Sequence, residues 1–300
     1  MRQQPRVISG AESSSSAKPV WLRRSRTVLR NDGPILLWLL LPAAIVFTAF
    51  FLLPLGNLFL IGGTGARGWG AYTAVLTDAQ YLSSLISTVV LAAATTAATL
   101  FISGITGVFL TRARFRGRAL LAALLTLPLA FPGVVIGFMV IMLAGRQGLI
   151  PDISEWLIGE RIVFAYSMAG LFLGYLYFSI PRTILTVMAA AEKLDVRLEE
   201  AARSLGAGPL RVVSDVIVPA LKPALLSAGA ICFATAMGAF GTAFTLATRI
   251  NVLPMVIYTE FTLQANVATA AALSFVLGTL TWAVLATVRT AAGATVAAAG

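Results

Sequence analysis

Glu199-Glu200-Ala201-Ala202-Arg203-Ser204-Leu205-Gly206-Ala207-Gly208-Pro209, followed by Val216-Ile217-Val218-Pro219, lies in the one long, richly charged segment between the apolar stretches of this chain. Ala201 and Ala202 favour helix and keep one face thin, and Glu200 offers a carboxylate for charge-assisted hydrogen bonds to a cation. Gly206 and Gly208 permit backbone angles closed to other residues, so a short helix ends there and Pro209 restarts the chain. The expected product is a rigid knob of two short helices meeting at a turn. Pro219 and Pro223 are expected to break the helix where apolar sequence resumes. Taken alone, Glu-Ala-Ala would be no more than a solvated amphipathic helix with a glycine stop.

On either side of this segment the chain is strongly apolar. Of its 300 residues 58% are hydrophobic and 11% charged, whereas soluble domains carry about a quarter charged residues. Crossing a hydrocarbon core about 30 Å thick takes roughly 20 helical residues, and six stretches are long enough: Ile35 to Ile61, Leu82 to Leu110, Ala119 to Ala144, Ile162 to Ile180, Ala224 to Ala247 and Ala268 to Val288. The fold class is therefore an all-α membrane protein with six transmembrane helices. A transmembrane β-barrel would need short alternating segments, and none repeats here. Between the spans lie polar segments Gly62 to Tyr81, Thr111 to Arg118, Gly145 to Arg161, Pro181 to Pro223 and Thr248 to Val267, read as loops.

Basic residues orient the bundle, because cytoplasmic flanks retain Lys and Arg during insertion. One side receives Arg2, Arg6, Lys18, Arg23, Arg24, Arg26 and Arg30, then Arg112, Arg114, Arg116 and Arg118, then Arg182, Lys193, Arg197, Arg203, Arg211 and Lys222, and finally Arg289. The other side keeps only Arg67, Arg146, Arg161 and Arg249. Both termini and the long loop are thus expected in the cytoplasm, and the net charge of +10 is topological, with no nucleic-acid partner implied. Ser13 to Ser16 reads as disordered, and Val20 to Arg30, which mixes Trp21, Leu22, Val28 and Leu29 with arginines, as an interfacial segment. A signal peptide is the rival reading of this end, but its apolar region should stop after about 7–15 residues.

Several function classes drop out. With Cys232 as the only cysteine and no histidine, neither a disulfide framework nor a thiolate or imidazole metal centre can be built within the chain. The spans as drawn hold no Asp, Glu, Lys or Arg, although ion-coupled carriers place such groups in the membrane. That counts against a self-contained secondary carrier or channel, and no internal repeat supports one. Lys18, Lys193 and Lys222 all lack a Gly-Lys-Ser/Thr setting, so no phosphate-cradling loop is present. The outer segments lack an acid, base and nucleophile set, so a membrane enzyme is disfavoured.

The long loop resembles the EAA loop of type I ABC importer permeases, the inner-membrane components of binding-protein-dependent transport systems. Glu200, Ala201, Ala202, Gly206 and Pro219 match that pattern at its spacing, while Val216 and Val218 stand where it has Ile and Leu. Phe131-Pro132-Gly133-Val134-Val135-Ile136-Gly137 and Ser179-Ile180-Pro181-Arg182 look like the spermidine/putrescine, ferric-iron, sulfate and aminoethylphosphonate group. The resemblance implies a non-catalytic permease of the bacterial inner membrane. Residues 1–33 would be a cytoplasmic tail, 34–290 the six-helix domain with its loop at about 190–222, and 291–300 a second tail. It implies an ATPase dimer carrying ATP and Mg, a second and distinct permease, and an external solute-binding protein as partners, with no cofactor on this chain. Glu199, Glu200, Ala201, Ala202, Arg203, Gly206, Ala207, Gly208 and Pro219 would form the ATPase-coupling site. Candidates for the solute path are Tyr175, Tyr177, Thr235, Gly238 and Thr242, the last three with Thr245 forming a small polar stripe that could equally pack helices. The two tyrosines, two residues apart, cannot share a helix face. A polyamine is the first expectation for the solute, with aminoethylphosphonate, ferric iron and sulfate-type anions behind it.

Overall fold

The structure is a computed structural model that describes residues 33–246 and 250–292. The expectations for Ser13 to Ser16, Val20 to Arg30 and the end of the C-terminal tail fall outside these residues. The described residues contain helices and no strand. The chain divides into two units, Met1–Pro54 and Leu55–Gly300.

In the first unit, α1 (Gly33–Phe47) leads into a π-turn at Thr48–Leu52; α2 (Leu53–Gly62) comes next in the sequence. The same device recurs later, where a π-turn at Val213–Ile217 precedes Pro219. In both places the widened turn stands just ahead of a proline, whose ring would crowd the carbonyl four residues back and whose nitrogen has no proton to give it. A wider turn moves that carbonyl aside and lets the helix continue.

The second unit holds α3 (Gly70–Thr77), α4 (Ala79–Arg112), α5 (Arg118–Thr126), α6 (Gly133–Ala144), α7 (Leu149–Ile158), α8 (Met168–Glu192), α9 (Val196–Ser204), α10 (Pro209–Val212), α11 (Val218–Met237), α12 (Gly241–Leu246), α13 (Leu253–Thr262) and α14 (Val267–Ala292). Its axis is α4 packed along α8. On α4 the buried residues Ser84, Thr88, Ala92, Thr95, Thr99, Ser103 and Gly107 recur three or four positions apart, a stripe of small side chains that lets membrane helices approach. The opposite face, with Val90, Phe101, Ile105 and Phe109, stays exposed and suits lipid.

A large core cluster including Leu85, Val140, Leu171, Tyr175, Met237, Leu246, Leu253 and Leu273 ties α4, α6, α8, α11, α12, α13 and α14 together. A smaller one, Val187, Ala191, Val212, Ile217 and Leu221, lies at the end of the bundle that carries α9.

Among the described residues six helices are long and apolar enough to cross a membrane, as expected, but several boundaries shift. The third crossing is broken: α5 runs into a 3-10 turn at Leu127–Ala130, and α6 starts after Phe131-Pro132. α6 then stops at Ala144, whose carbonyl accepts from the amides of Phe164 and Ala165, so α7 is a separate amphipathic helix within the segment read as a loop. α13 likewise occupies the segment expected to be the last loop. Pro181 does not end the fourth span; α8 continues to Glu192, which moves Arg182 from a loop into the helix. Pro219 and Pro223 do not break the fifth span either, which runs from Pro209 to Met237.

Candidate functional site

The knob forms from purely local rules. Asp195 caps α9, its Oδ1 accepting from the Arg197 amide at 3.0 Å. The helix closes with the Gly206 amide on the Arg203 carbonyl and the Ala207 amide on the Ala202 carbonyl, at 2.9 and 3.0 Å. This is a Schellman closure, which needs a left-handed residue at the first position past the cap. Gly206 supplies it with φ +85°. Gly208 then precedes Pro209, the first residue of α10.

Ala202 and Ala207 pack against Val187, Ala191, Val212, Ile217 and Leu221, so the inner face of the knob is fixed to α8 and to the start of the fifth span. Glu200, Ala201, Arg203, Gly206 and Gly208 are exposed. Between them stand Leu205 and Leu210, 89% and 84% exposed, two large apolar side chains presented on a tip of otherwise polar and small residues. The sequence reading missed both; leucines flanking a Gly-x-Gly-Pro turn were the available signal. Pro219 lies ten residues into the fifth span, at the start of α11, and serves the π-turn, not the tip.

Glu199 departs from expectation. It is buried, and its Oε1 lies 2.6 Å from Nη2 of Arg112, the last residue of α4. The contact is one of charges more than of aligned hydrogen bonds, since Nε and Nη2 of Arg112 and Oε1 of Glu199 have no well-oriented partner among the described residues. Glu199 therefore faces into the bundle and ties the knob to the second span, leaving Glu200 as the outward carboxylate.

A second feature lies between the helices. The third span is broken at Phe131-Pro132 and the fifth at Gly238-Ala239-Phe240, and the two breaks face each other across a cleft of about 340 Å³. Pro128, Phe131, Gly133, Arg182, Thr235, Gly238 and Thr242 line it. Unwound backbone at membrane depth is tolerated only inside protein or beside a water-filled cavity. The breaks are held by specific bonds: Thr242 Oγ1 donates to the Gly133 carbonyl at 3.0 Å, and Tyr175 donates its hydroxyl to the Ala239 carbonyl at 2.7 Å. Helix approach here depends on glycine, because a Cβ on Gly174 would meet Thr242 Cγ2 at 2.7 Å and one on Gly137 would meet Thr245 Cβ at 2.6 Å.

Of the residues predicted for the path, Thr235, Gly238 and Thr242 line the cleft, Tyr175 is buried as a brace behind it, and half-buried Tyr177 is not among its lining residues. Thr245 turns toward α6, donating to the Gly241 and Val134 carbonyls. Arg182, counted in the sequence only as a loop charge, is part of the cleft wall.

Residues 100–294 match the family described as binding-protein-dependent transport system inner membrane component. The chain belongs to this family. It is a multi-pass inner-membrane permease of the type I ABC importer group. Among its relatives, PhnU of Salmonella typhimurium, a permease named for 2-aminoethylphosphonate transport, is 29% identical over 87% of this chain and 93% of its own. The molybdenum transport permease ModB of Escherichia coli K12 is 34% identical over 62% of this chain and 81% of its own. The sulfate transport permease CysT of the same strain is 34% identical over 66% and 70%. The permease fold is also that of a chain from the bacterial alginate ABC transporter crystallised with its alginate pentasaccharide-bound periplasmic protein. That likeness has a TM-score of 0.76 at 15% identity, over 87% of this chain and 95% of the other.

Proposed function

We propose that this permease forms half of the solute pathway of an ATP-driven importer and that α9 and α10 are the element a separate nucleotide-hydrolysing subunit grips. The observation that carries the reading is the tip itself: Leu205 and Leu210 stand almost fully exposed beside Glu200 and Arg203, on a turn whose other face is packed into the bundle. Exposed apolar side chains ringed by charge mark a docking surface. Closure of an ATPase dimer around the tip would move α8 and the fifth span together through the small core and α4 through Arg112. The cleft between the broken spans would then open alternately to either side. In this reading the knob and both tails are cytoplasmic, a distinct second permease completes the path, and an external binding protein delivers the solute.

For the solute, the expected polyamine gains no support from the relatives described above, whose names point to 2-aminoethylphosphonate, molybdenum and sulfate. An oxyanion-bearing solute, with 2-aminoethylphosphonate first, is the better-supported proposal, because PhnU aligns with nearly the whole chain.

The test is reconstitution of the full chain with its co-purifying subunits and binding protein. Glu200→Lys and Leu205→Arg should insert and assemble normally yet lose ATP-driven uptake. Wild-type uptake in both variants would contradict the docking role.

A further inference from the structure

The geometry points to Arg182 as an anion-binding residue of the solute path, receiving an oxyanion head group together with the hydroxyl of Ser179, while Thr235 positions the guanidinium. This deepens the permease reading and rests on it.

Arg182 lies ten residues before the end of α8 at Glu192, which at 1.5 Å per residue is about 15 Å in from the knob end of that helix. Arg182 thus falls inside the apolar span Met168–Glu192, and charges within a membrane span are costly in lipid and mark solute or ion pathways unless a partner neutralises them. No carboxylate among the described residues forms an ion pair with Arg182. Its one protein hydrogen bond among these residues is a long one, from Nη1 to Thr235 Oγ1 at 3.5 Å. The rest of a five-donor fork built for carboxylate, sulfate or phosphonate oxygens is therefore unspent.

Two cavities meet at this side chain. One is the cleft between the broken spans; the other, of about 50 Å³, lies between α8 and α11 and is also lined by Phe178, Arg182 and Thr235. Independently of the arginine, Ser179 lines the smaller cavity, is 5% exposed, and its Oγ has no hydrogen-bond partner among the described residues. A buried hydroxyl left open beside an unspent guanidinium is a donor pair awaiting an acceptor. Thr235 already gives its proton to the Ile231 carbonyl at 2.7 Å, so its oxygen positions Arg182 while the guanidinium and Ser179 supply the donors. Small residues at Gly238 and Gly241 leave the space open toward the larger cleft.

Cys232, the chain's only cysteine, lines the smaller cavity and permits a direct electrostatic measurement. In the Cys232→Ala background, Ile231→Cys places a single thiol at a cavity-lining position that is 42% exposed. The full chain, purified with its subunits into zwitterionic lipid nanodiscs, is labelled with sulfonate-bearing, trimethylammonium-bearing and neutral methanethiosulfonates, each rate being normalised to that reagent's rate with free cysteine. The anionic reagent should win by about fivefold or more, the order expected for one nearby positive charge in a partly solvated site. Arg182→Lys should keep that preference and Arg182→Gln should abolish it. Free sulfate or 2-aminoethylphosphonate should slow the neutral reagent only while the positive charge is present. A preference unchanged in Arg182→Gln, or no labelling by any reagent, overturns the proposal. Protection by added phosphatidylglycerol but not by free sulfate overturns it too, assigning Arg182 to a lipid head group. Each of these failures leaves the docking role of the knob untouched, because that is read from ATP-driven uptake of the Glu200→Lys and Leu205→Arg variants.

Discussion

Glu199 Oε1 sits 2.6 Å from Arg112 Nη2, so the first turn of the knob is fastened to the last residue of the second span. The pair is mostly shielded from water, with the two side chains 8% and 25% exposed, and removing one partner from such a pair leaves an uncompensated charge. Glu199→Gln and Arg112→Gln should each lower thermal stability by about 1–3 kcal/mol, less than a fully buried pair because Arg112 keeps some solvent. The Glu199→Arg, Arg112→Glu exchange should recover much of that loss. Glu200→Lys, whose carboxylate faces outward, should leave melting unchanged. Thermal melts of the purified chain in detergent separate the two glutamates.

Gly206 makes a different demand. A Cβ there meets nothing within 4 Å, so the obstacle to substitution is the backbone at φ +85° and not space. Gly206→Asn, which tolerates the left-handed region, should retain more activity than Gly206→Ala, and Gly206→Val should lose most; the backbone term is about 1–2 kcal/mol. Equal losses for asparagine and valine in an uptake assay would show that the tip needs a bare surface more than a left-handed turn.

The turn into α8 is testable by a pair of glycines. A Cβ on Gly170 would fall 2.1 Å from the Ala165 carbonyl oxygen, a backbone atom, whereas one on Gly104 meets nothing within 4 Å. Gly170→Ala should destabilise the bundle by about 1–3 kcal/mol, as overpacking does, while Gly104→Ala should leave melting unchanged or raise it slightly through helix propensity.

Glu260 on α13 is buried, its carboxylate accepting from the Tyr81 hydroxyl at 2.9 Å and from Asn266 Nδ2 at 3.2 Å. Replacing it by leucine strands both donors and should cost about 1–3 kcal/mol. Glu260→Gln keeps an acceptor for Tyr81 and should cost less. Reversal of that order in melts would mean that these donors find other partners.

The parts of this molecule that were legible in the sequence are those governed by local rules. Hydrophobic runs marked the spans, and Gly206, Gly208 and Pro209 marked the turn of the knob, because each acts on its own backbone. Pairings between distant segments were not legible: nothing near Glu199 shows that Arg112 will arrive beside it, so in the sequence Glu199 falls among the coupling-loop residues. Prolines misled in both directions. Pro181 was read as a stop, yet α8 continues and Arg182 joins the cleft wall; Pro219 was read as a break, yet a π-turn absorbs it. Phe131-Pro132 is where the third span does break. Whether a membrane helix tolerates a proline is decided by what its neighbours can do for the freed carbonyls, which a single chain read in order does not display. Short amphipathic helices such as α7 and α13 were hidden for a related reason, since their polar residues find partners only in the folded bundle.

The central claim is tested most directly by placing a photo-crosslinking amino acid at position 205 of the full chain, with position 156 on α7 as a control that is equally exposed in the free chain. On illumination of the assembled transporter, position 205 should capture the nucleotide-hydrolysing subunit in a yield that changes with bound nucleotide, while position 156 should not capture it. Capture of that subunit from 156 but not from 205, or of no such subunit from 205, would contradict the claim.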